Sequence, residues 1–213
     1  MSERLRIALT KGRLQDQSVE LFEAMELDCS PVKNPGRRLI HSIENYPLDV
    51  VLAKAPDVIT YVEHGVCDLG IVGKDTVLEK GGAFYEVLDL GFGRCRFALA
   101  VKEGSDFYGT YKTRRIASKY PQVTRAFFEK KGMDVDIIKI EGSVELAPIL
   151  DLADGIVDIV ETGATLRENG LVPIEDVAWI SARLIVNTAS MKLHKNQILD
   201  FISRCERELG RRV

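Results

Sequence analysis

Residues 154–170 read DGIVDIVETGATLRENG: an apolar run interrupted by Asp158, closed by Glu161 and followed at once by Thr162-Gly163-Ala164-Thr165. A strand that hands over to a helix through such a turn brings free helix N–H groups and two hydroxyls together, an arrangement that cradles phosphate. Gly163 lets the backbone approach the anion closely. The acids ahead of the turn cannot bind phosphate, but they can accept hydrogen bonds from sugar hydroxyls or hold a hydrated magnesium ion. Asp154 and Asp158 have equal parity, so on one strand they share a face. Acids beside a phosphate cradle point to a sugar phosphate as ligand. The same residues also fit a plain helix cap at Thr162 with Glu161 in solvent.

Cations stand at several other strand-to-helix turns. In TKGRLQ (10–15), Lys11 and Arg13 flank Gly12 where a buried strand opens into a helix, a place for a triphosphate or pyrophosphate. KNPGRR (33–38) sets Lys33, Arg37 and Arg38 around a Pro-Gly turn. LAKAPD (52–57) ends a strand with Lys54 and Asp57, and GIVGKD (70–75) ends another with Gly73, Lys74 and Asp75. EGSVE (141–145) follows the apolar run DIIKI, with Gly142 and Ser143 at a helix start. Each of these is equally an ordinary turn with solvated charges. Gly91-Phe92-Gly93-Arg94 has the glycines of a hinge.

The elements that must position these residues alternate along the chain. LRIAL, RLIHSI, DVVLA and DLGIVG read as strands, with helices after Gly12 and around Pro56, the latter ended by Gly65. RCRFALAVK is a longer strand, and EGSDFYGTYKTRR a polar connection. A second set follows: RRIAS, the helix PQVTRAFFEKKG, DVDIIKI, a loop and helix through EGSVELAPILDLADG, then GIVDIVE. DVAWISARLIVN (176–187) is strand-like but alternates poorly. The tail is an amphipathic helix with Leu193, Ile198, Leu199, Ile202 and Leu209 at helical spacing. This order predicts an α/β protein of two lobes with parallel-rich sheets: 1–93 plus 182–213 as lobe I and 94–181 as lobe II. Ligands bind such folds at the C-terminal ends of strands, in a cleft.

Composition narrows the function. The 213 residues carry a formal net charge of −3, which lacks the basic footprint of a nucleic-acid binder. No apolar run is long enough to span a bilayer. The stretch Leu5–Leu9 is too short for a secretory segment, so the expected location is cytoplasmic. Cys29, Cys67, Cys95 and Cys205 form no CxxC pair and read as reduced, structural thiols. With His41, His64 and His194 equally scattered, no zinc site is expected.

GSVELAPILDLADGIVDIVETGATLRENGL, with TKGRL at the start and KAPDVITYVEHGVCDLGIVGKD in the middle, resembles ATP phosphoribosyltransferase, the first enzyme of histidine biosynthesis. The resemblance covers nearly the whole chain. It is to the short form of that family, which lacks the additional C-terminal domain. It implies a periplasmic-binding-protein-like (type II) fold, and transfer of phosphoribosyl from phosphoribosyl pyrophosphate (PRPP) to N1 of ATP with release of pyrophosphate. It implies PRPP binding by Glu141, Gly142, Ser143, Asp154, Asp158, Glu161, Thr162, Gly163, Ala164 and Thr165. It implies ATP binding by Lys11, Gly12, Arg13, Arg37, Arg38, Asp57, Gly73, Lys74 and Asp75. Lys11, Arg13 and Lys54 would supply electrostatic stabilisation, although Lys54 departs from the arginine-rich sequence common at its position. Mg²⁺ would ride on the substrate phosphates, with Asp158 and Glu161 as its protein contacts. The implied partner is a regulatory subunit resembling histidyl-tRNA synthetase, in a hetero-oligomer. Two alternatives stay open: a cytosolic small-anion sensor of solute-binding-protein fold, and a phosphoribosyltransferase for another base.

Overall fold

The computed structural model describes residues 4–109 and 112–211. Residues 110 and 111 of the expected polar connection lie outside them. The chain divides into two compact units: residues up to Gly93 together with those from Ser181 onward, and Arg94–Ile180 between them.

The first unit is built on a six-stranded sheet. Its strands are β1 (Leu5–Thr10), β2 (Ile40–Ile43), β3 (Leu48–Ala53), β4 (Leu69–Gly73), β5 (Phe84–Asp89) and β11 (Ala182–Asn187), in the order β2-β3-β1-β4-β11-β5. β1 pairs parallel with β3 and β4, whereas β2, β11 and β5 join antiparallel. Both faces are covered, which explains why the interior of β1, Ile7 to Leu9, is apolar without alternation. Leu5, Ile7 and Leu9 enter one core with Phe22 of α1 (Arg13–Ala24) and Phe201 of α9 (Lys195–Gly210). Ala8 faces the other way, onto Val58, Ile59 and Val62 of α3 (Ala55–Glu63). Phe22 and Phe201 meet edge to face at 5.7 Å, so the tail helix closes the first core. Its buried stripe is Ile198, Phe201, Ile202 and Cys205. Leu193 and Leu199, expected in that stripe, are exposed. Leu193 precedes the helix, in α8 (Ser190–Leu193), and Leu199 falls off the i, i+3, i+4, i+7 face.

The second unit holds a five-stranded sheet of β6 (Cys95–Lys102), β7 (Arg114–Ser118), β8 (Val135–Lys139), β9 (Gly155–Val160) and β10 (Leu171–Ile180), in the order β10-β6-β9-β7-β8. β7 runs parallel to β8 and β9; β6 and β10 are antiparallel. Alternate residues again serve two cores. Phe97, Leu99, Val101, Ile116 and Val157 pack with Phe128 of α5 (Pro121–Lys130). Ala98, Ala100, Ala117, Ile156 and Val160 pack with Val144, Ala147 and Leu166, under α6 (Leu146–Ile149) and α7 (Ala164–Glu168).

Three expectations need correction. Both sheets are mixed: in the first, three parallel strands are flanked by antiparallel neighbours on both sides, and in the second the three parallel strands β9, β7 and β8 lie at one edge. DVAWISARLIVN is two strands, broken at Ser181 and shared between the two sheets, so no single alternation runs through it. β10 also begins earlier, at Leu171. It is an edge strand whose register shifts around Pro173–Glu175 and Asp176–Ala178, where proline and bulges are tolerated and the polarity pattern is lost. β5, rich in charge and on the other sheet's edge, and α4 (Lys74–Lys80) carried no recognisable pattern.

Where the chain leaves and re-enters the first unit, Asp89 ties the two passages together. It accepts hydrogen bonds from the Gly91 N–H (2.9 Å) and the Ser181 hydroxyl (2.7 Å), and pairs with Arg183 (2.9 Å). The Ala182 N–H donates to the Phe92 carbonyl at 2.9 Å. Gly93 adopts φ +63, and a Cβ there would lie 2.7 Å from Leu14.

Gly70 shows how tightly helix and sheet pack in the first unit. A Cβ at that position would meet Val62 at 2.8 Å and Val58 at 2.9 Å on α3, and Ile185 at 3.2 Å on β11. Gly70→Ala should lower unfolding stability by about 1–3 kcal/mol, the usual result of overpacking a core. Denaturant unfolding of the two proteins measures it.

Candidate functional site

The strongest grouping lies at the C-terminal end of β9. Glu161 follows the last strand residue, Gly163 turns in the left-handed conformation (φ +72), and α7 starts at Ala164. A Cβ on Gly163 would stand 3.2 Å from the Arg167 guanidinium, which itself donates to the Thr162 carbonyl at 3.1 Å. The left-handed backbone therefore favours glycine here, and the nearest atom, the end of the flexible Arg167 side chain, leaves little room for more. The Thr162 hydroxyl accepts a long bond from the Ala164 N–H at 3.3 Å, but the N-cap position of α7 is Gly163, not Thr162 as a plain cap would require. Asp158, Glu161, Thr162, Gly163, Ala164 and Thr165 line one concavity of about 300 Å³, together with Glu145.

Asp158 projects on the same face as Ile156 and Val160, the face that α6 and α7 cover. Burial there raises its carboxyl above the ordinary value of 3.8. The Ile159 N–H, donating to it at 2.8 Å, and the charge of Lys119 oppose that rise, whereas the charge of Glu145 adds to it. Glu145, just before α6, is the member of this group that pattern reading did not select. Its signal was the spacing GSVE, a short acid two residues beyond a serine at a helix start.

Other expected residues fall differently. Glu141, Gly142 and Ser143 follow β8, parallel to β7 and thus at the same edge of the sheet; Glu141 is held by Lys139 at 2.7 Å, which lowers its carboxyl pKa. Asp154 does not join the group. It precedes β9 at the strand's opposite end, where it accepts from the Arg115 N–H at 2.8 Å. Equal parity puts Asp154 and Asp158 on one face, but at roughly 3.3 Å per residue they stand some 13 Å apart along the strand.

In the first unit the expected cations also share one edge. Lys11 and Arg13 follow β1, Lys54 follows β3, and Lys74 follows β4, the three mutually parallel strands. Arg37 and Arg38 precede β2, whose antiparallel pairing sets Ile40 opposite Val51 and so brings its start to the same edge. The turn after β1 is tied to β3 by the Lys11 N–H donating to the Ala53 carbonyl at 2.9 Å. Lys11, Gly12, Arg13, Arg37, Arg38, Lys54 and Asp57 are exposed. Lys74 is committed elsewhere: its ammonium sits 2.5 Å from Glu86, and its backbone N–H bonds Ser181. Gly73 leaves room for the Asp75 carboxylate, which a Cβ would meet at 2.0 Å.

Among the described residues, no group of three or more His, Cys, Asp or Glu side chains is placed to hold a metal. Asp158 and Glu161 on one concavity fit a hard cation that brings most of its own oxygen ligands, as a magnesium phosphate does. None of the four cysteines forms a disulfide; burial pushes the thiols of Cys29 and Cys67 up to about 11 and that of Cys205 up to about 12, so these three stay protonated at neutral pH. No helix among the described residues is long and apolar enough to cross a membrane.

The raised Asp158 carboxyl makes a signed prediction. A folded-state pKa above the unfolded one costs stability as pH rises past 3.8, and the cost levels off above the raised value. Asp158→Asn keeps the acceptor for Ile159 and removes the charge. It should raise stability at pH 7 by about 1 kcal/mol, with the gain vanishing at acid pH. Thermal melts across pH 3–8 decide this; an asparagine variant less stable than the parent at pH 7 would contradict the burial argument.

Comparison with known proteins bears on the same residues. The family model described as HisG: ATP phosphoribosyltransferase matches residues 54–207. The chain is 59% identical over 208 residues to ATP phosphoribosyltransferase of Clostridium kluyveri, covering 97% of this chain and 94% of that one. It is equally identical, over 97% and 96%, to the Clostridium acetobutylicum enzyme. In structure it is similar to the ATP phosphoribosyl transferase (HisG:HisZ) complex of Thermotoga maritima, with TM-score 0.82, 30% identity, and 97% and 99% of the chains covered. The periplasmic aliphatic sulphonate binding protein SsuA of Escherichia coli shares the fold, at TM-score 0.61 and 13% identity over 99% and 74%. The expected periplasmic-binding-protein-like architecture is thus present, and the family match, together with relatives that are transferases by name, disfavours a sensor without catalysis. With a model spanning most of its length and relatives matched nearly end to end, this chain belongs to the ATP phosphoribosyltransferase family.

Proposed function

We propose that this chain transfers the 5-phosphoribosyl group of PRPP to N1 of ATP, the first step of histidine biosynthesis, using the β9 turn as the seat of the ribose phosphate. The observation that carries the residue assignment is the meeting of Asp158, Glu161 and Thr162–Thr165 around one concavity at the end of a parallel strand. The turn binds the 5-phosphate through backbone N–H groups and the hydroxyls of Thr162 and Thr165. Asp158 and Glu161 accept from the ribose hydroxyls.

The chemistry asks little acid–base work of the protein. The lone pair of adenine N1 forms the new bond to the anomeric carbon while the bond from that carbon to the pyrophosphate oxygen breaks. Pyrophosphate departs with the electron pair. Adenine N1 carries no proton at neutral pH, so none must be removed to begin. The protein's task is to align two polyanions and balance their charge, which positioning and fixed electrostatics accomplish. Lys11, Arg13 and Lys54, exposed on one edge of the first sheet, supply that balance for the triphosphate, with Arg37 and Arg38 beside them. Magnesium, carried by the pyrophosphate, neutralises leaving-group charge. We place the enzyme in the cytoplasm, in a hetero-oligomer with a regulatory subunit of the kind that the Thermotoga maritima complex contains.

Two measurements test this. Pyrophosphate release from PRPP and Mg²⁺ should require ATP; release that is independent of ATP, or none with or without the regulatory subunit, overturns the assignment. Thr162→Val with Thr165→Val should weaken PRPP binding about 10-fold or more, the worth of losing two bonds to an anion, while leaving the melting temperature near that of the parent. An unchanged PRPP affinity in the folded double variant removes the turn from the site.

A further inference from the structure

The edge of the second sheet that carries the β9 turn also carries a cation that none of the motifs drew attention to. β7 and β9 are parallel neighbours, with Ile116 opposite Gly155 and Ala117 opposite Ile156. One step on, the Ser118 hydroxyl donates to the Val157 carbonyl at 2.5 Å, so the register holds through the last strand residue. Lys119 follows directly past the end of β7, where the register continued one step sets it alongside Asp158, whose carboxyl feels its charge. Ala117 packs in the same core as Ile156 and Val160, the face on which Asp158 lies. On the other side of β7, the Ile140 N–H bonds the Ser118 carbonyl at 3.1 Å, which brings Glu141 alongside. The Lys119 charge accordingly acts on both Asp158 and Glu141.

Lys119 is surrounded by carboxylates yet bonded to none of them. Lys139 is paired with Glu141 at 2.7 Å, and Arg167 donates to the Thr162 carbonyl. Among the described residues, no side chain or backbone group pairs with the Lys119 ammonium, and Lys119 is exposed. Three acids on one rim, Glu141, Glu145 and Asp158, repel a polyanionic ligand unless a cation stands among them. Lys119 is that cation, and it lies on the Glu141 side of Asp158, away from the phosphate turn.

We infer that Lys119 is a substrate-binding residue, holding the pyrophosphate group of PRPP beside the ribose that Asp158 and Glu161 receive. This rests on the phosphoribosyl reading above and adds an anion contact within the second unit, where the other proposed cations all belong to the first. The ammonium is a point charge on a flexible stem, suited to an anion that must leave after each turnover.

The test uses the full chain and two fragments of PRPP as probes, magnesium pyrophosphate and ribose 5-phosphate, titrated calorimetrically into the parent, Lys119→Ala and Lys119→Arg. Lys119→Ala should weaken pyrophosphate binding about 10- to 100-fold, the range for one charge-assisted contact. It should leave ribose 5-phosphate affinity within about twofold, and Lys119→Arg should recover most of the loss. In turnover the alanine variant should raise the KM for PRPP without raising that for ATP. An alanine variant that binds pyrophosphate like the parent overturns the assignment, as does one that loses both probes equally, which would make Lys119 a support of the turn. A parent protein that binds neither probe and releases no pyrophosphate with ATP overturns the phosphoribosyl reading itself, and this inference with it.

Discussion

Everything at the candidate site depends on the parallel pairing of β7 with β9. Parallel neighbours end on the same side, so the residues that follow each strand are delivered to one rim without any of them being near another in sequence. The Ser118 hydroxyl bonded to the Val157 carbonyl pins this register one residue before the strands give way to turns. A slip of one position would rotate Asp158 to the Phe97 and Phe128 side of the sheet and bury it in an aromatic core. The first unit uses the same device: β1, β3 and β4 are parallel, and their following turns carry Lys11, Lys54 and Lys74.

The two rims differ in charge, and the difference suits their proposed ligands. The first is cationic and exposed, suited to a triphosphate that remains partly in solvent. The second is mainly acidic, with a glycine turn instead of side-chain charge for the phosphate. Backbone N–H groups bind an anion without bringing a competing counter-ion, so acids can stand within the same concavity to receive hydroxyls. That economy has a stability cost at Asp158, half-buried beside Glu145 and above Ile156. Active sites commonly hold charge in places that folding alone would leave apolar.

Much of this was legible in the chain. The apolar runs of β1, β4 and β9 announced strands buried on both faces, and the turns after them drew attention because charge or glycine follows at once. The Thr162–Thr165 turn could be read because its chemistry is local. Asp154 stands at the far end of β9 from the turn, because parity specifies a face and says nothing about position along the strand. Lys74 is paired with Glu86 on β5, an edge strand with no hydrophobic alternation to reveal it. Lys119 was hidden for a related reason: it becomes a neighbour of Asp158 only through pairing between strands distant in sequence, and the residues around it carry no motif; Glu145 lay inside the EGSVE stretch, but its nearness to Asp158 was not legible there. The division of DVAWISARLIVN between two sheets follows the lobe boundary expected at 181/182, although no proline or glycine marks the break.

The order of the first sheet has a consequence for how the protein is made. β11 lies between β4 and β5, yet it is synthesised after the whole of Arg94–Ile180. Until it leaves the ribosome, β5 has no strand to pair with and the apolar flank of β4 is uncovered. The second unit is continuous in the chain, and its sheet can be completed as soon as β10 has emerged. The unit formed by the middle of the chain is therefore the first able to finish folding. The unit that begins at the amino terminus waits as an incomplete sheet until β11 arrives between β4 and β5.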